Sequence, residues 1–189
     1  LPIATQNDED TQSLVNSMLA VFPYLTLWTT EVHEMMLVGS MHPFSIDYLQ
    51  VSERMQSPLL ARALRDVGIE TPADLLATYI TNRNGLERYA GGASPVTDDD
   101  PRIEYANWVR PGEFNRVLPK LLALSSPVPV VASGAELAKI ESSFFRLLDF
   151  YEIAYRTYGQ DQDTWTPRIN AFRQSGASNA YYDWYLDRN

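Results

Sequence analysis

Two neighbouring runs of β-favouring residues near the amino terminus place the strongest constraint on the fold. Tyr24 to Thr30 is rich in aromatic and β-branched side chains, and Met35 to Ser40 is apolar and ends at glycine and serine. The four residues 31–34 lie between them, so the pattern predicts a β-hairpin. A lone two-stranded hairpin is marginally stable in water, and its edges invite further strands. We therefore expect it to belong to a larger sheet or to be covered by a partner.

The remaining apolar residues recur mostly at helical spacing. This spacing predicts a first helix that ends at Pro23, three short helices between Ile46 and Thr81, and one short helix between Asn84-Gly85 and Gly91-Gly92. A helix near Phe114 is expected to kink or restart at Pro119. Three more are predicted over 135–158, 165–174 and 178–186. The last carries four aromatic side chains and must dock on an apolar surface. The predicted class is α+β and mostly helical.

Charge is distributed unevenly along the 189 residues, which carry a net charge of -9. Residues 1–110 hold 15 acidic and 7 basic side chains, whereas 111–189 hold 9 and 8. The turn-forming sequence Arg110-Pro111-Gly112 coincides with this change, so we predict two parts, 1–110 and 111–189. The acidic balance disfavours nucleic acid as a partner. No apolar run approaches the roughly 18 residues of a spanning helix, so we expect no direct membrane insertion.

The usual catalytic and cofactor motifs are missing from the sequence. It has no cysteine, no G-x-S-x-G element and no glycine-rich phosphate loop of the dinucleotide-binding or P-loop type. The group Glu31, His33 and Glu34, with His42 further on, lacks a metal-ligand spacing and is interpreted as a solvated turn. We therefore predict no catalytic residue, no metal site and no cofactor held by this chain.

The triplet Asp98-Asp99-Asp100 is the densest acidic run. It lacks the alternating acids, the glycine and the closing glutamate of a calcium loop. An acidic lip that attracts a cationic substrate is the alternative, and the acids selected for it are Asp98, Asp99 and Glu104. Turn formation around Pro101 is the simpler structural role for the same residues.

Three segments together carry a family resemblance. These are Val21-Phe22-Pro23-Tyr24-Leu25-Thr26-Leu27-Trp28, Met36-Leu37-Val38-Gly39-Ser40 and Thr97-Asp98-Asp99-Asp100-Pro101-Arg102-Ile103-Glu104-Tyr105. They resemble the carboxyl-terminal part of spermidine synthase-like proteins, the polyamine aminopropyltransferase family. The likeness is closest to the bacterial branch in which a transporter-like membrane half is fused to the synthase-like half. It covers residues 1–105, whereas the rest reads as an added helical extension.

The resemblance implies the end of a Rossmann-like, methyltransferase-type sheet. The first helix and the hairpin would then be the carboxyl-terminal helix and closing antiparallel strands of that sheet. The glycine-rich turn that binds decarboxylated S-adenosylmethionine, and the aspartate that deprotonates putrescine, would both precede Leu1 in the parent protein. On this interpretation the chain is inactive alone, its partners are the rest of the parent chain or a homo-oligomer, and a polyamine is a candidate ligand. The resemblance implies a cytoplasmic location, with a tether to the membrane through the preceding half.

A second hypothesis comes from a different class of function. The chain is then a stand-alone helical interaction or oligomerisation module, whose hairpin edge or aromatic carboxyl terminus contacts another subunit. The two hypotheses differ in what precedes Leu1 in the natural gene product. A glycine-rich strand-turn-helix there would favour the synthase interpretation.

Overall fold

The computed structural model describes residues 1–99, 108–158 and 164–188. Within these residues the helices are α1 (Asp8–Val21), α2 (Tyr48–Met55), α3 (Pro58–Asp66), α4 (Pro72–Ala77), α5 (Arg83–Ala90), α6 (Glu113–Leu122), α7 (Gly134–Thr157), α8 (Thr166–Gln174) and α9 (Ala180–Leu186). The strands are β1 (Tyr24–Glu31), β2 (Glu34–Ser40), β3 (Ile46–Asp47), β4 (Tyr79–Asn82) and β5 (Val130–Val131). The class is α+β, as predicted.

Two compact units form, and both are discontinuous in sequence. The first contains residues Leu1–Phe44 and Tyr79–Val128, and the second contains Ser45–Thr78 and Pro129–Asn189. The boundary predicted near residue 110 falls inside the first unit. Discontinuous units arise because contacts between elements far apart in sequence define them, and a local change in charge composition does not report such contacts.

A three-stranded antiparallel sheet lies in the first unit, in the order β2-β1-β4. The predicted hairpin is confirmed, but its turn contains only Val32 and His33 instead of four residues. The prediction of helix up to Thr81 is wrong for residues 79–81, which belong to β4 beside β1. Its first three residues are aromatic or β-branched and all buried, which suits a strand in contact with the core.

Helices α1, α5 and α6 complete the first unit. The first helix and its end at Pro23 are confirmed, since α1 stops at Val21. The buried residues of α6 recur along one face, and the helix runs from Glu113 to Leu122 without a break at Pro119. The restart predicted there is wrong, since burial of Val117, Leu118, Leu121 and Leu122 holds this segment helical despite the missing amide hydrogen.

The second unit is built around α7, which spans 24 residues as the long apolar pattern predicts. Ser133 and Glu136 form a capping box at its amino terminus. The aromatic carboxyl-terminal helix α9 docks on this helix, because the Tyr182 ring stacks on Phe150 with 4.0 Å between centroids. The apolar surface expected for the aromatic tail is therefore α7 of the same chain. A short parallel pair, β3 with β5, lies in the same unit.

No helix among the residues that the structure describes combines the length and the apolar character needed to cross a membrane.

Candidate functional site

The acids selected from the sequence follow a segment that is fixed on α1. Asp98 and Asp99 form an exposed turn after Thr97, and Glu104 lies outside the described residues. The Val96 amide donates to Ser17 Oγ at 2.8 Å, and the Ser17 hydroxyl donates to Val96 O at 3.3 Å. The backbone that leads into Asp98 and Asp99 is thus held on the second half of α1.

The chain that follows the acidic triplet Asp98-Asp99-Asp100 is held at the opposite end of α1. Asn7, the N-cap residue of α1, donates from Nδ2 to Trp108 O at 2.9 Å and accepts the Arg110 amide on Oδ1 at 2.9 Å. Asn7 and Ser17 are ten residues apart, or roughly 15 Å along the helix axis. The chain therefore leaves α1 at one end and returns at the other, with the acidic motif in the intervening sequence.

The first turn of α1 also contains a buried carboxylate, Asp8, which is 5 % exposed. Its Oδ1 accepts the Tyr89 hydroxyl at 2.8 Å, and its Oδ2 pairs with Lys120 Nζ. Burial, followed by the hydrogen bond to Asp8, raises the pKa of Tyr89 above its ordinary value. Tyr89 is therefore a neutral donor to Asp8, and the contact links α1 to α5.

Glu113, at the start of α6, is the second buried carboxylate and is 3 % exposed. Its Oε1 accepts the Asp8 amide at 2.7 Å, Arg116 at 2.6 Å and Arg110 at 3.0 Å. Burial alone would raise the pKa of Glu113, but these hydrogen bonds outweigh it and hold the pKa below its ordinary value. Arg110 also pairs with Glu9.

This buried network is structural in character. A carboxylate with a depressed pKa is a weak base at neutral pH, and Glu113 Oε1 already accepts three donors. The sequence alone did not identify Asp8, Tyr89, Glu113 or Lys120 as members of this network. Their partners lie 81 to 112 positions apart, and no local pattern signals such pairings. The network's role is to fix α1, and with it both anchors of the acidic segment.

The hairpin turn differs from the solvated turn inferred from its composition. Val32 is fully buried, and the His33 ring lies 5.2 Å from the Phe114 ring between centroids. The ring contact places His33 of the turn against Phe114 of α6. The described residues contain no group of three or more histidines or acids arranged to hold a metal ion.

The glycine pair at 91–92 differs in its position from a nucleotide-binding turn. Gly91 and Gly92 have positive φ angles and close the carboxyl end of α5. A nucleotide-binding glycine turn instead lies between a strand and a following helix. The helix predicted before this glycine pair is confirmed as α5.

The outer edge of β2 is the most distinctive feature of the sheet. The Met35 amide donates to Leu1 O at 3.0 Å, and Leu1 N donates to Met35 O at 2.7 Å. Residues 1–3 thus form a short antiparallel extension of the sheet, with a bridge between Pro2 and Glu34. Because strand groups alternate in direction, the amides and carbonyls of Leu37 and Gly39 face outward as well. No described residue pairs with them.

Comparison with known proteins adds no assignment to this geometry: no family model, no curated protein and no solved structure matches the chain.

Proposed function

We propose that this chain is the carboxyl-terminal part of a spermidine synthase-like aminopropyltransferase domain, whose sheet continues beyond β2. The single observation that carries the proposal is the outer edge of β2. Residues 1–3 already lie antiparallel to its first residues, and the backbone groups at Leu37 and Gly39 are open to a longer strand in the same line. An edge of this kind is a template for strand addition. The added strand would belong to the cofactor-binding part of the Rossmann-like sheet.

The reaction that the resemblance implies is transfer of an aminopropyl group to putrescine. The amine nitrogen forms a bond to the propyl carbon, the carbon–sulfur bond breaks, and the nucleoside leaves as a neutral thioether. The proton of the amine passes to a carboxylate. The catalytic aspartate and the nucleoside site belong to residues before Leu1, so this chain contributes no catalytic residue.

Attraction of the cationic amine is the contribution proposed for Asp98, Asp99 and Glu104. Asp98 and Asp99 are exposed and lie next to a backbone fixed on α1. Neither forms an ion pair within the described residues. Carboxylates placed in this way favour a polyamine through charge, and the net charge of -9 acts in the same direction.

The test uses the whole natural gene product that contains this sequence, with putrescine and decarboxylated S-adenosylmethionine. We expect it to form spermidine and the 189-residue chain to form none. The double variant Asp98→Asn with Asp99→Asn should raise KM for putrescine with little change in kcat, because the lost interaction is one of binding. The matched control is Glu141→Gln, an exposed acid on α7. A gene product without transferase activity would contradict the proposal.

A second candidate function, the helical interaction module, is favoured by a separate observation. Helix α3 has no buried residue, and its Leu59 is 82 % exposed. Exposed apolar helix faces mark interaction surfaces. The residues that precede Leu1 in the natural gene product separate the candidates, since an interaction module needs no glycine-rich strand-turn-helix there.

A further inference from the structure

Helix α3 presents its apolar side to solvent. Leu59, Leu60 and Val67 are 82 %, 40 % and 50 % exposed, and Ala63 is exposed between them. At 100° per residue Leu59, Leu60 and Ala63 lie on one side of the helix, with Arg62 and Asp66 along its border, and Val67 is the C-cap residue at its carboxyl end. An apolar helix side is normally buried, so this arrangement requires an occupant.

The spacing of the exposed residues fits a second helix. Leu59 and Ala63 are four residues apart on α3, and Val67 follows at the same spacing as its C-cap residue. This is the spacing of a ridge that packs into the matching groove of a partner helix. The small side chain of Ala63 lies at the centre of the ridge, where two backbones would approach most closely. In an antiparallel pair, Leu59 of each helix lies against Val67 of the other.

The charges of Arg62 and Asp66 identify the partner helix that fits the apolar side of α3. Arg62 and Asp66 are opposite in sign and occupy the same border of the apolar side, and neither forms an ion pair within the described part of the chain. A two-fold axis near Ala63 places Arg62 of each copy beside Asp66 of the other, so that two ion pairs form. We propose that α3 is a self-complementary surface through which two copies of this chain associate. The proposal is independent of aminopropyl transfer.

Two properties separate this occupant from a lipid surface. Asp66 lies directly on the border, and the chain carries a net charge of -9, so an anionic bilayer is disfavoured.

The apolar side of one nine-residue helix is also smaller than a standard protein interface of about 800 Å² per partner. We therefore expect a weak dimer whose population depends on concentration.

Sedimentation equilibrium of the 189-residue chain measures this association. We expect reversible monomer-dimer behaviour, weakened by roughly tenfold in Leu59→Ser because an exposed anchor is lost. The matched control is Phe145→Ser, which removes an apolar side chain that is 60 % exposed on α7 and should leave the dimer unchanged. A wild-type chain that stays monomeric at high concentration overturns the proposal, as does equal weakening by the control.

Charge exchange gives the sharper test. Arg62→Glu and Asp66→Arg should each weaken self-association by roughly tenfold, since each places like charges across the axis. The double variant restores both pairs and should recover the dimer, and an equimolar mixture of the single variants should form a heterodimer. All these positions are exposed, so circular dichroism should remain unchanged. Failure of the double variant to recover overturns the proposal.

Lipid is tested directly with vesicles of phosphatidylcholine and phosphatidylglycerol. We expect no cosedimentation of the wild-type chain. Vesicle binding that Leu59→Ser abolishes, in a chain that does not self-associate, would assign the surface to lipid and overturn the dimer.

Discussion

The first turn of α1 and the helix α3 invert the usual placement of charge and apolar surface. In the first unit, Asp8 and Glu113 are buried and every described contact they make is with a donor. In the second unit, Leu59 and Val67 point into solvent. The buried carboxylates have hydrogen-bond donors within their own unit, whereas the exposed side chains of α3 lie open to solvent.

The difference shows which groups of each unit have partners within that unit. The carboxylates Asp8 and Glu113 have hydrogen-bond donors within the first unit. The exposed side of α3 and the outer edge of β2 at Leu37 and Gly39, in contrast, have no such partners among the residues that the structure describes. Four substitutions test this contrast, and they follow in order of their expected effect on the free energy of unfolding.

Asp8→Ala should have the largest effect, about 2–3 kcal/mol of unfolding free energy, because it leaves the buried Tyr89 hydroxyl without its acceptor and frees Lys120. Asp10→Ala is the matched control, since Asp10 lies in the same first turn of α1 and makes only a 3.3 Å contact with Asn7. Urea unfolding of both variants gives the difference. Equal losses would mean that the helix dipole, and not the buried network, stabilises this turn.

Gly39→Ala should cost about 1–3 kcal/mol through overpacking. A Cβ at Gly39 would lie 2.5 Å from the Phe22 ring, which packs directly on the strand. Gly134→Ala is the control, because a Cβ there meets nothing within 4 Å. Thermal unfolding should separate the two variants, and an unchanged Tm for Gly39→Ala would show that the ring moves aside freely.

Tyr89→Phe should cost about 1 kcal/mol through the lost hydrogen bond and should alter the alkaline limb of stability. Burial raises the pKa of Tyr89, so the folded state holds the proton while the unfolded state ionises near pH 10. Stability from this group is therefore complete below about pH 10 and falls as pH rises further. The variant should lose stability less steeply above pH 10 than the wild-type chain. Parallel curves would contradict the assignment.

Leu59→Ser should change the free energy of unfolding by no more than about 0.5 kcal/mol, because the side chain is exposed in the monomer. Measured at a concentration where the chain is monomeric, this near-zero result contrasts with the loss for Asp8→Ala. A large loss would show that Leu59 packs within its own unit.

Much of the fold could be predicted from local pattern. The capping residue Thr71, followed by Pro72, specifies the start of α4, and the structure shows the complete capping box with Asp74. The long helix α7 follows from apolar residues at steps of three and four. These signals are local, because they depend on neighbours within one or two turns.

The contacts across the chain could not be predicted in the same way. Strand β4 is only four residues long. Its pairing with β1 determines its extended conformation, although the residues before it have helical spacing. The ion pair between the buried Asp8 and the exposed Lys120 links positions 112 apart. Of the proposed polyamine acids, the sequence identified Asp98 and Asp99 as an acidic turn, but only the structure reveals that Ser17 holds the backbone beside them.

The outer edge of β2 gives the most direct measurement of the central claim, that the sheet continues into an aminopropyltransferase domain. Amide hydrogen exchange distinguishes Leu37 and Gly39, which face outward, from Met36 and Val38, which face β1. In the 189-residue chain we expect the outward pair to exchange much faster than the inward pair. In the whole natural gene product we expect all four to be protected. Outward amides that stay unprotected there would mean that the sheet ends at β2, contradicting the account.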